Sequence, residues 1–286
     1  MALDEALVKR FVKEALSEDK VACDITTDTF ISKDARVQAK IIAKENGVLC
    51  GMALVREVFA SFDKSLLFHE AKKDGQLLKK GDSIGVIRGC ARSVLSCERV
   101  ALNFVSYLSG ISTQTHEIVK KVGNRGIKIL DTRKTTPLYR SFEKYAVLMG
   151  GGKNHRFDLS DQYLVKDNHL FIIKNTKTVD VLAQRDLKIL FEIEADNFAQ
   201  LKAVVKYQPA IVLLDNFTPR QVRQAVSWLK RTFPHKNKRP LVELSGGITY
   251  ENIASFCING VDYISLGALT HSSKALDFSL EITKIY

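Results

Sequence analysis

Long apolar runs are missing from this sequence of 286 residues; Ala210–Leu214 is typical of the longest. A membrane-crossing helix needs roughly 18–20 apolar residues, so none is expected. Cysteine is scarce and poorly spaced for a scaffold. Cys23, Cys50, Cys90, Cys97 and Cys257 are odd in number, and none forms a C-x-x-C pair. That speaks against a disulfide framework and against a zinc ribbon. Reduced thiols are expected, most of them small core hydrophobes, with Cys97 the candidate for a reactive one. The opening Met1-Ala2-Leu3-Asp4-Glu5 has neither the basic nor the apolar region of a signal peptide, so a cytoplasmic location is expected. Low-complexity tracts, Pro/Ser linkers and repeats of roughly 20–50 residues are also absent. What remains, 45% hydrophobic and 26% charged, has the composition of an ordinary globular chain.

Positive charge is what the sequence does have. Lys and Arg number 43 against 32 Asp and Glu, a formal net charge of +11. Such an excess favours polyanionic partners: nucleic acid, anionic lipid, or small phosphorylated and carboxylated substrates. Where the cations sit narrows the choice.

An apolar stripe of helical period runs through Leu3, Leu7, Phe11, Ala15 and Leu16. Strands are expected over Arg36–Lys44, Ser65–Ala71 and Ser83–Arg88, with helices over Met52–Phe62 and over Ser93–Leu108, the latter stopped at Gly110. After residue 110 short apolar runs recur: Ile127–Leu130, Tyr163–Val165, Ile189–Glu194, Ile211–Leu214, Leu241–Leu244 and Val261–Leu266. Helical faces lie between the later runs. Phe198, Leu201, Val204 and Val205 form one; Val222, Ala225, Val226 and Leu229 form another, behind an N-cap at Thr218 and Pro219. Ile253, Phe256 and Cys257 belong to a third, closed by Gly260.

Six strand–helix units argue for parallel strands. Polar residues or glycines stand at all six strand ends and the G-x-G-x-x-G fingerprint is absent, which favours a β/α barrel over a doubly wound sheet. The expected architecture is α/β. An N-terminal α/β sandwich domain covers 1–110, and an open or incomplete barrel of six to seven strands covers 111–273 and carries the active site. Residues 274–286 are expected to pack back on the first domain.

The segment Asp131–Lys166 gathers Arg133, Lys134, Arg140, Lys144, Lys153, His155, Arg156 and Lys166. Arginine forks grip carboxylate or phosphate in pairs of hydrogen bonds, and lysine supplies a point charge. Lys144 and Lys153, taken singly, read as solvated; Arg133, Lys134 and Lys166, at strand ends, read as ligands. Ser245-Gly246-Gly247 and Leu266-Gly267-Ala268 each follow a strand and precede a helix, a setting for a backbone phosphate cradle, with His271 close behind. Glu192 and Glu194, two apart on a strand, face one side, and Asp215 ends the next strand. Their partners are Mg²⁺, sugar hydroxyls or the basic cluster; a structural ion pair with Lys166 or Arg133 is the bland alternative.

These same stretches carry a resemblance. Asp131-Thr132-Arg133-Lys134-Thr135-Thr136-Pro137, Glu143-Lys144-Tyr145-Ala146-Val147, Gly150-Gly151-Gly152-Lys153-Asn154-His155-Arg156 and Lys166-Asp167-Asn168-His169 are similar to the quinolinate phosphoribosyltransferase family. So are Leu214-Asp215-Asn216-Phe217, Ser245-Gly246-Gly247-Ile248, Gly267-Ala268-Leu269-Thr270-His271-Ser272, Asp24-Ile25-Thr26-Thr27 and the run from Cys97-Glu98-Arg99 to Leu108-Ser109-Gly110-Ile111.

The resemblance implies transfer of phosphoribose from 5-phosphoribosyl 1-pyrophosphate to quinolinate with Mg²⁺ and without an organic cofactor. The products are nicotinate mononucleotide, pyrophosphate and carbon dioxide. It implies that Arg133, His155, Arg156 and Lys166 line the quinolinate pocket and that Lys134 lies between the substrates. Glu194 and Asp215 serve the ribose and, directly or indirectly, the metal. Thr135, Ser245, Gly246, Gly247, Leu266, Gly267, Ala268 and His271 serve the phosphates. Arg99 is lent to the neighbouring subunit of a homodimer or higher oligomer. Two positions depart from the family, where glycine is common: Leu138 and Cys23. The alternatives are a phosphoribosyltransferase of the same fold acting on another base, and a basic nucleic-acid-binding protein. The latter would carry a basic stripe with stacking aromatics, whereas these cations are mixed with carboxylates.

Overall fold

A computed structural model describes residues 3–175, 182, 186 and 188–286. In chain order the elements begin with α1 (Glu5–Glu18), α2 (Ile25–Phe30), β1 (Arg36–Ala43), β2 (Gly47–Val48), α3 (Met52–Phe62), β3 (Leu67–Glu70), β4 (Leu77–Leu78), β5 (Ser83–Cys90) and α4 (Ala91–Val122). Next come β6 (Lys128–Leu130), α5 (Arg140–Met149), β7 (Tyr163–Val165), α6 (Asp167–Asn175), β8 (Phe191–Ala195), α7 (Phe198–Val204) and β9 (Ile211–Asp215). The last are α8 (Pro219–Thr232), β10 (Leu241–Ser245), α9 (Ile253–Phe256), β11 (Tyr263–Ser265), α10 (Ala268–His271) and β12 (Phe278–Ile285). Among the described residues no helix is long and apolar enough to cross a membrane.

The chain folds as two compact units, one of Met1–Glu117, Thr135–Gly151 and Leu269–Tyr286, the other of Ile118–Lys134 and Gly152–Ala268. These contact units interleave along the chain, whereas the expected domains, 1–110 and 111–273, are continuous stretches; residues 274–286 fall in the first unit. Sequence order is not contact order: α5, which falls inside the expected barrel domain, buries Phe142, Ala146 and Val147 as part of the first unit.

The first unit holds an antiparallel sheet in the order β12-β1-β5-β3, with β12 laid along β1 from Ala43↔Phe278 to Val37↔Ile285. The expected helix stop at Gly110 is wrong. α4 runs on to Val122, and a side chain at Gly110 would collide with the backbone of Lys274 and Ala275. Glycine stands there because another segment passes against the helix. Lys144 is also corrected. It is fully buried on α5, as is Glu143, which accepts the Tyr107 hydroxyl at 2.5 Å and the Thr136 N–H at 3.2 Å. Lys153 is exposed.

The second unit is a six-stranded parallel sheet, β6-β11-β10-β9-β8-β7. It is open: among the described residues no ladder joins β6 to β7. Pairing of Glu194 with Leu213, Leu213 with Glu243 and Asp215 with Ser245 puts Glu192, Glu194, Asp215, Glu243 and Ser245 on one face. Ile193, Val212, Leu214, Val242 and Leu244 fill the other, all of them buried. α8 begins as the sequence reading has it, with a capping box at Thr218 and Gln221 and Pro219 in the first turn, and buries Val222, Ala225, Val226 and Leu229. α9 ends at Phe256, short of Gly260.

Candidate active site

The carboxyl ends of the six strands carry the chemistry. Asp131 follows β6, Lys166 follows β7, Glu194 and Asp196 stand at the end of β8, Asp215 closes β9 and Ser245 closes β10. Leu266 and Gly267 follow β11. The Leu266 N–H donates to the Leu130 carbonyl at 3.0 Å and its side chain is buried, so neither its N–H nor its side chain is available to a ligand.

Two guanidiniums share one part of this rim. Arg156 has its pKa lowered, first by burial and then by the charge of Arg133. The Arg133 Nε is buried and has no hydrogen-bond partner among the described residues. Like charges held together around an unused buried donor form a receptor for an anion.

Beneath them lies an acidic cluster. The His155 Nε2 is 3.1 Å from Glu192 Oε2 and 3.4 Å from Glu243 Oε1, and both carboxylates are fully buried. Burial acts to lower the His155 pKa, but hydrogen bonds to the two acids and their charge outweigh it and raise it to about 10. Burial also raises the pKa of Glu192. The His155 Nδ1 accepts the Arg156 N–H at 2.7 Å, so the proton this cluster attracts sits between Nε2 and the carboxylate oxygens facing it. Both ring nitrogens are engaged within the protein.

The second acidic group is Glu194, Asp196 and Asp215, whose oxygens lie within 4.8 Å of one another. Burial, with the charge of Asp215, raises the Glu194 pKa, and Lys166 opposes it. The Lys166 Nζ is 3.4 Å from Glu194 Oε2, so the ion pair weighed in the sequence is present. A hard divalent cation such as Mg²⁺ takes oxygen ligands of this kind, and the donor set fits it.

Beside this group the chain turns sharply. Asn216, Gly246 and Gly247 have φ of 56°, 85° and 62°. A Cβ on Gly246 would collide with Asn216, whereas one on Gly247 would meet nothing within 4 Å. The open space beside Gly247 suits an approaching ligand. The helices behind the glycine turns are weaker than expected. α9 starts only at Ile253, and α9 and α10 are four residues each. A phosphate here would rest on turn amides, since a single helical turn has little dipole.

Lys134 is exposed in this unit. Arg99, Thr135 and His271 belong to the first unit. Arg99 is exposed on α4; Thr135 Oγ1 accepts Arg140 Nε at 3.2 Å; the His271 Nδ1 lies 2.6 Å from Ser272 Oγ. The sequence reading missed Glu243, Asp131 and Asp196 as functional residues. Asp131 accepts the His155 N–H at 2.9 Å and the Asn154 amide at 2.6 Å. Acidic residues within otherwise apolar strand runs were the available signal. Cys97 is no nucleophile: it is buried, and burial pushes its thiol up to about 12.

Residues 24–109 match the family model described as "Quinolinate phosphoribosyl transferase, N-terminal domain", and residues 111–281 its C-terminal domain counterpart. The chain is 39% identical over 280 residues to the "Probable nicotinate-nucleotide pyrophosphorylase [carboxylating]" of Bacillus subtilis, covering 96% of this chain and 93% of that one. It is also 39% identical to "Quinolinate phosphoribosyltransferase [decarboxylating] 2a, mitochondrial" of Nicotiana tabacum, over 96% of this chain and 82% of that one. The solved nicotinate-nucleotide pyrophosphorylase of Francisella tularensis superposes with a TM-score of 0.89 at 35% identity, over 99% of this chain and 98% of that one.

Proposed function

Because this chain belongs to the quinolinate phosphoribosyltransferase family, we propose that its strand-end rim binds quinolinate against the Arg133–Arg156 pair. The reaction transfers phosphoribose from 5-phosphoribosyl 1-pyrophosphate to the quinolinate ring nitrogen, with loss of carbon dioxide, giving nicotinate mononucleotide and pyrophosphate for NAD biosynthesis. The carrying observation is the pair itself. Burial and the charge of Arg133 depress the Arg156 pKa, and Arg133 keeps a buried Nε without a partner among the described residues; a substrate with two carboxylates relieves both.

Lys166 adds a third cation at the same rim, and Lys134 stands between the two substrates. His155, both of whose nitrogens are occupied, shapes the pocket from below. Glu194 and Asp215 are placed to stabilise positive charge growing on the ribose as pyrophosphate departs. They would also hold Mg²⁺, with Asp196 as a third donor; when bound, the metal neutralises charge on the leaving group. The 5′-phosphate rests on backbone amides of Ser245, Gly246, Gly247, Gly267 and Ala268. Ribosylation makes the ring nitrogen cationic, so loss of the adjacent carboxylate as carbon dioxide leaves a stabilised carbanion, which takes up a proton at that carbon to give nicotinate mononucleotide; the protein supplies position, exclusion of bulk water and access for that proton. The partners are small anions, the location is the cytoplasm, and the unit of function is a homodimer in which Arg99 serves the neighbouring subunit's pocket.

The test is an assay with quinolinate, phosphoribosyl pyrophosphate and Mg²⁺, run beside nicotinate. Quinolinate should give nicotinate mononucleotide with stoichiometric carbon dioxide. Equal turnover of nicotinate would overturn the reading.

A further inference from the structure

Arg156 sits on the loop that leads from Lys153 to β7, and this loop is tied at both ends. At its start Asp131 accepts the His155 N–H at 2.9 Å and the Asn154 amide at 2.6 Å. At its end Gln162 donates from Nε2 to Glu192 Oε2 at 2.6 Å, while the Gln162 carbonyl accepts Arg156 Nη1 at 3.0 Å. His155 closes the ring. Its Nε2 lies 3.1 Å from that same Glu192 oxygen, and its Nδ1 accepts the Arg156 N–H at 2.7 Å. Arg156 is thus held at its backbone nitrogen and at its guanidinium, and both ties lead back to one carboxylate oxygen.

We infer that Gln162, which belongs to none of the motifs read from the sequence, is a positioning residue that aims the Arg156 guanidinium at quinolinate through the buried Glu192 carboxylate. The inference rests on the reading that Arg156 binds quinolinate. Three facts carry it. Glu192 is fully buried and its Oε1 has no hydrogen-bond partner among the described residues, so Oε2 concentrates its bonding. The Gln162 amide is the closer of the two donors on that oxygen. Arg133 repels Arg156, so a guanidinium without an anchor would swing away from its twin in the free enzyme. Substrate would then have to reorder a long flexible side chain on binding. With the amide removed, the peptide that presents this carbonyl keeps its own bond, from the Tyr163 N–H to the Leu190 carbonyl at 3.0 Å; what is lost is the clamp on the Glu192 oxygen that also faces His155 and, through its Nδ1, the Arg156 N–H.

The experiment compares Gln162→Ala, Gln162→Glu and Arg156→Ala in the full-length protein. Gln162→Ala should raise the quinolinate KM and Kd about tenfold, which is about 1.4 kcal/mol. The sugar-donor KM, kcat and Tm should stay nearly unchanged. Gln162→Glu sets a second carboxylate against Glu192 and should raise the quinolinate KM further at neutral pH. Its ratio to the parent should fall as pH is lowered, because a protonated carboxyl again donates to Glu192. A purely structural role would not produce that rescue. If Gln162→Glu does not fold, titration of Gln162→Ala and Gln162→Met with quinolinate alone decides. Quinolinate affinity within twofold of the parent in Gln162→Ala, or equal damage to both substrates, overturns the inference if Arg156→Ala loses quinolinate. Retained affinity in Arg156→Ala overturns instead the reading on which it rests.

Discussion

At the scale of single residues, charge and backbone geometry decide what each position can do. Arg133→Ala and Arg156→Ala each remove charge-assisted hydrogen bonds to a carboxylate, worth about 1.5–3 kcal/mol. Quinolinate titration should show a loss of that size with little change in melting temperature, because removing either guanidinium also relieves repulsion of the other. Unchanged affinity with a lowered melting temperature would make them structural. Leu138 is a different case. The resemblance marked it as a departure from glycine, and the structure gives it φ 67° with the side chain 78% exposed. Leucine in the left-handed region is strained by about 1–2 kcal/mol and gains little here from burial. Leu138→Gly, even after the greater chain entropy of unfolded glycine, should leave stability equal or higher by about 0.5–1 kcal/mol; denaturant unfolding would show it. The other departure, Cys23, has no positive φ and needs no glycine.

At the scale of elements, the proposed reaction assigns the two substrates to different turns after the strands. Gly247, with φ 62° and open space where a side chain would go, is on the phosphate side in that proposal. Gly247→Val should raise the sugar-donor KM by an order of magnitude or more while quinolinate binding stays within about twofold, since the added bulk fills the space left for phosphate. Equal damage to both substrates in steady-state kinetics would mean collapse of the β10–β11 turns. The His155–Glu192–Glu243 cluster belongs to three elements and has a pH signature. The cluster holds its extra proton, shared between His155 Nε2 and the facing carboxylates because Nδ1 is an acceptor, up to about pH 10, above the ordinary histidine value of 6.5. A raised pKa contributes stability that is complete below about 6.5 and is lost as pH climbs through about 10. Buried thiols and tyrosines share the upper part of that slope, so the comparison is with His155→Gln. Melting temperatures of the parent should fall relative to the variant between pH 6.5 and 9; parallel curves would show that the cluster does not take up the proton on folding.

At the scale of the whole molecule, Arg99 tests the assembly. It is exposed on α4, and in a two-fold dimer it would complete the neighbouring pocket. Arg99→Ala and Lys166→Ala should each be inactive alone. Unfolded together and refolded, half the dimers are hybrids in which one pocket carries both lesions and the other neither. About a quarter of all pockets should then be active. Activity no higher than that of the separate variants, with hybrids proven present, would place Arg99 in its own subunit or outside the reaction.

The sequence by itself determined what depends on local period and local chemistry. The strand runs from Tyr163–Val165 to Leu241–Leu244, the Thr218–Pro219 helix start and the cations at strand ends are all legible as apolar spacing and side-chain type, because such signals are contained within a few residues. The motif segments also placed Arg133, Arg156, Lys166, Glu194 and Asp215 at the rim of one sheet. Only the tertiary structure decided what depends on which segments meet. Gly110 reads locally as a helix stop, but it lies within α4 because Lys274 passes against it. Lys144 reads as a solvated charge, but α5 is buried on the face that carries it. Glu243 reads as one acid in an apolar run, and only the parallel register brings it to His155 beside Glu192. A buried charge is tolerated only where its partners converge, and those partners come from strands 30 to 90 residues away in the chain.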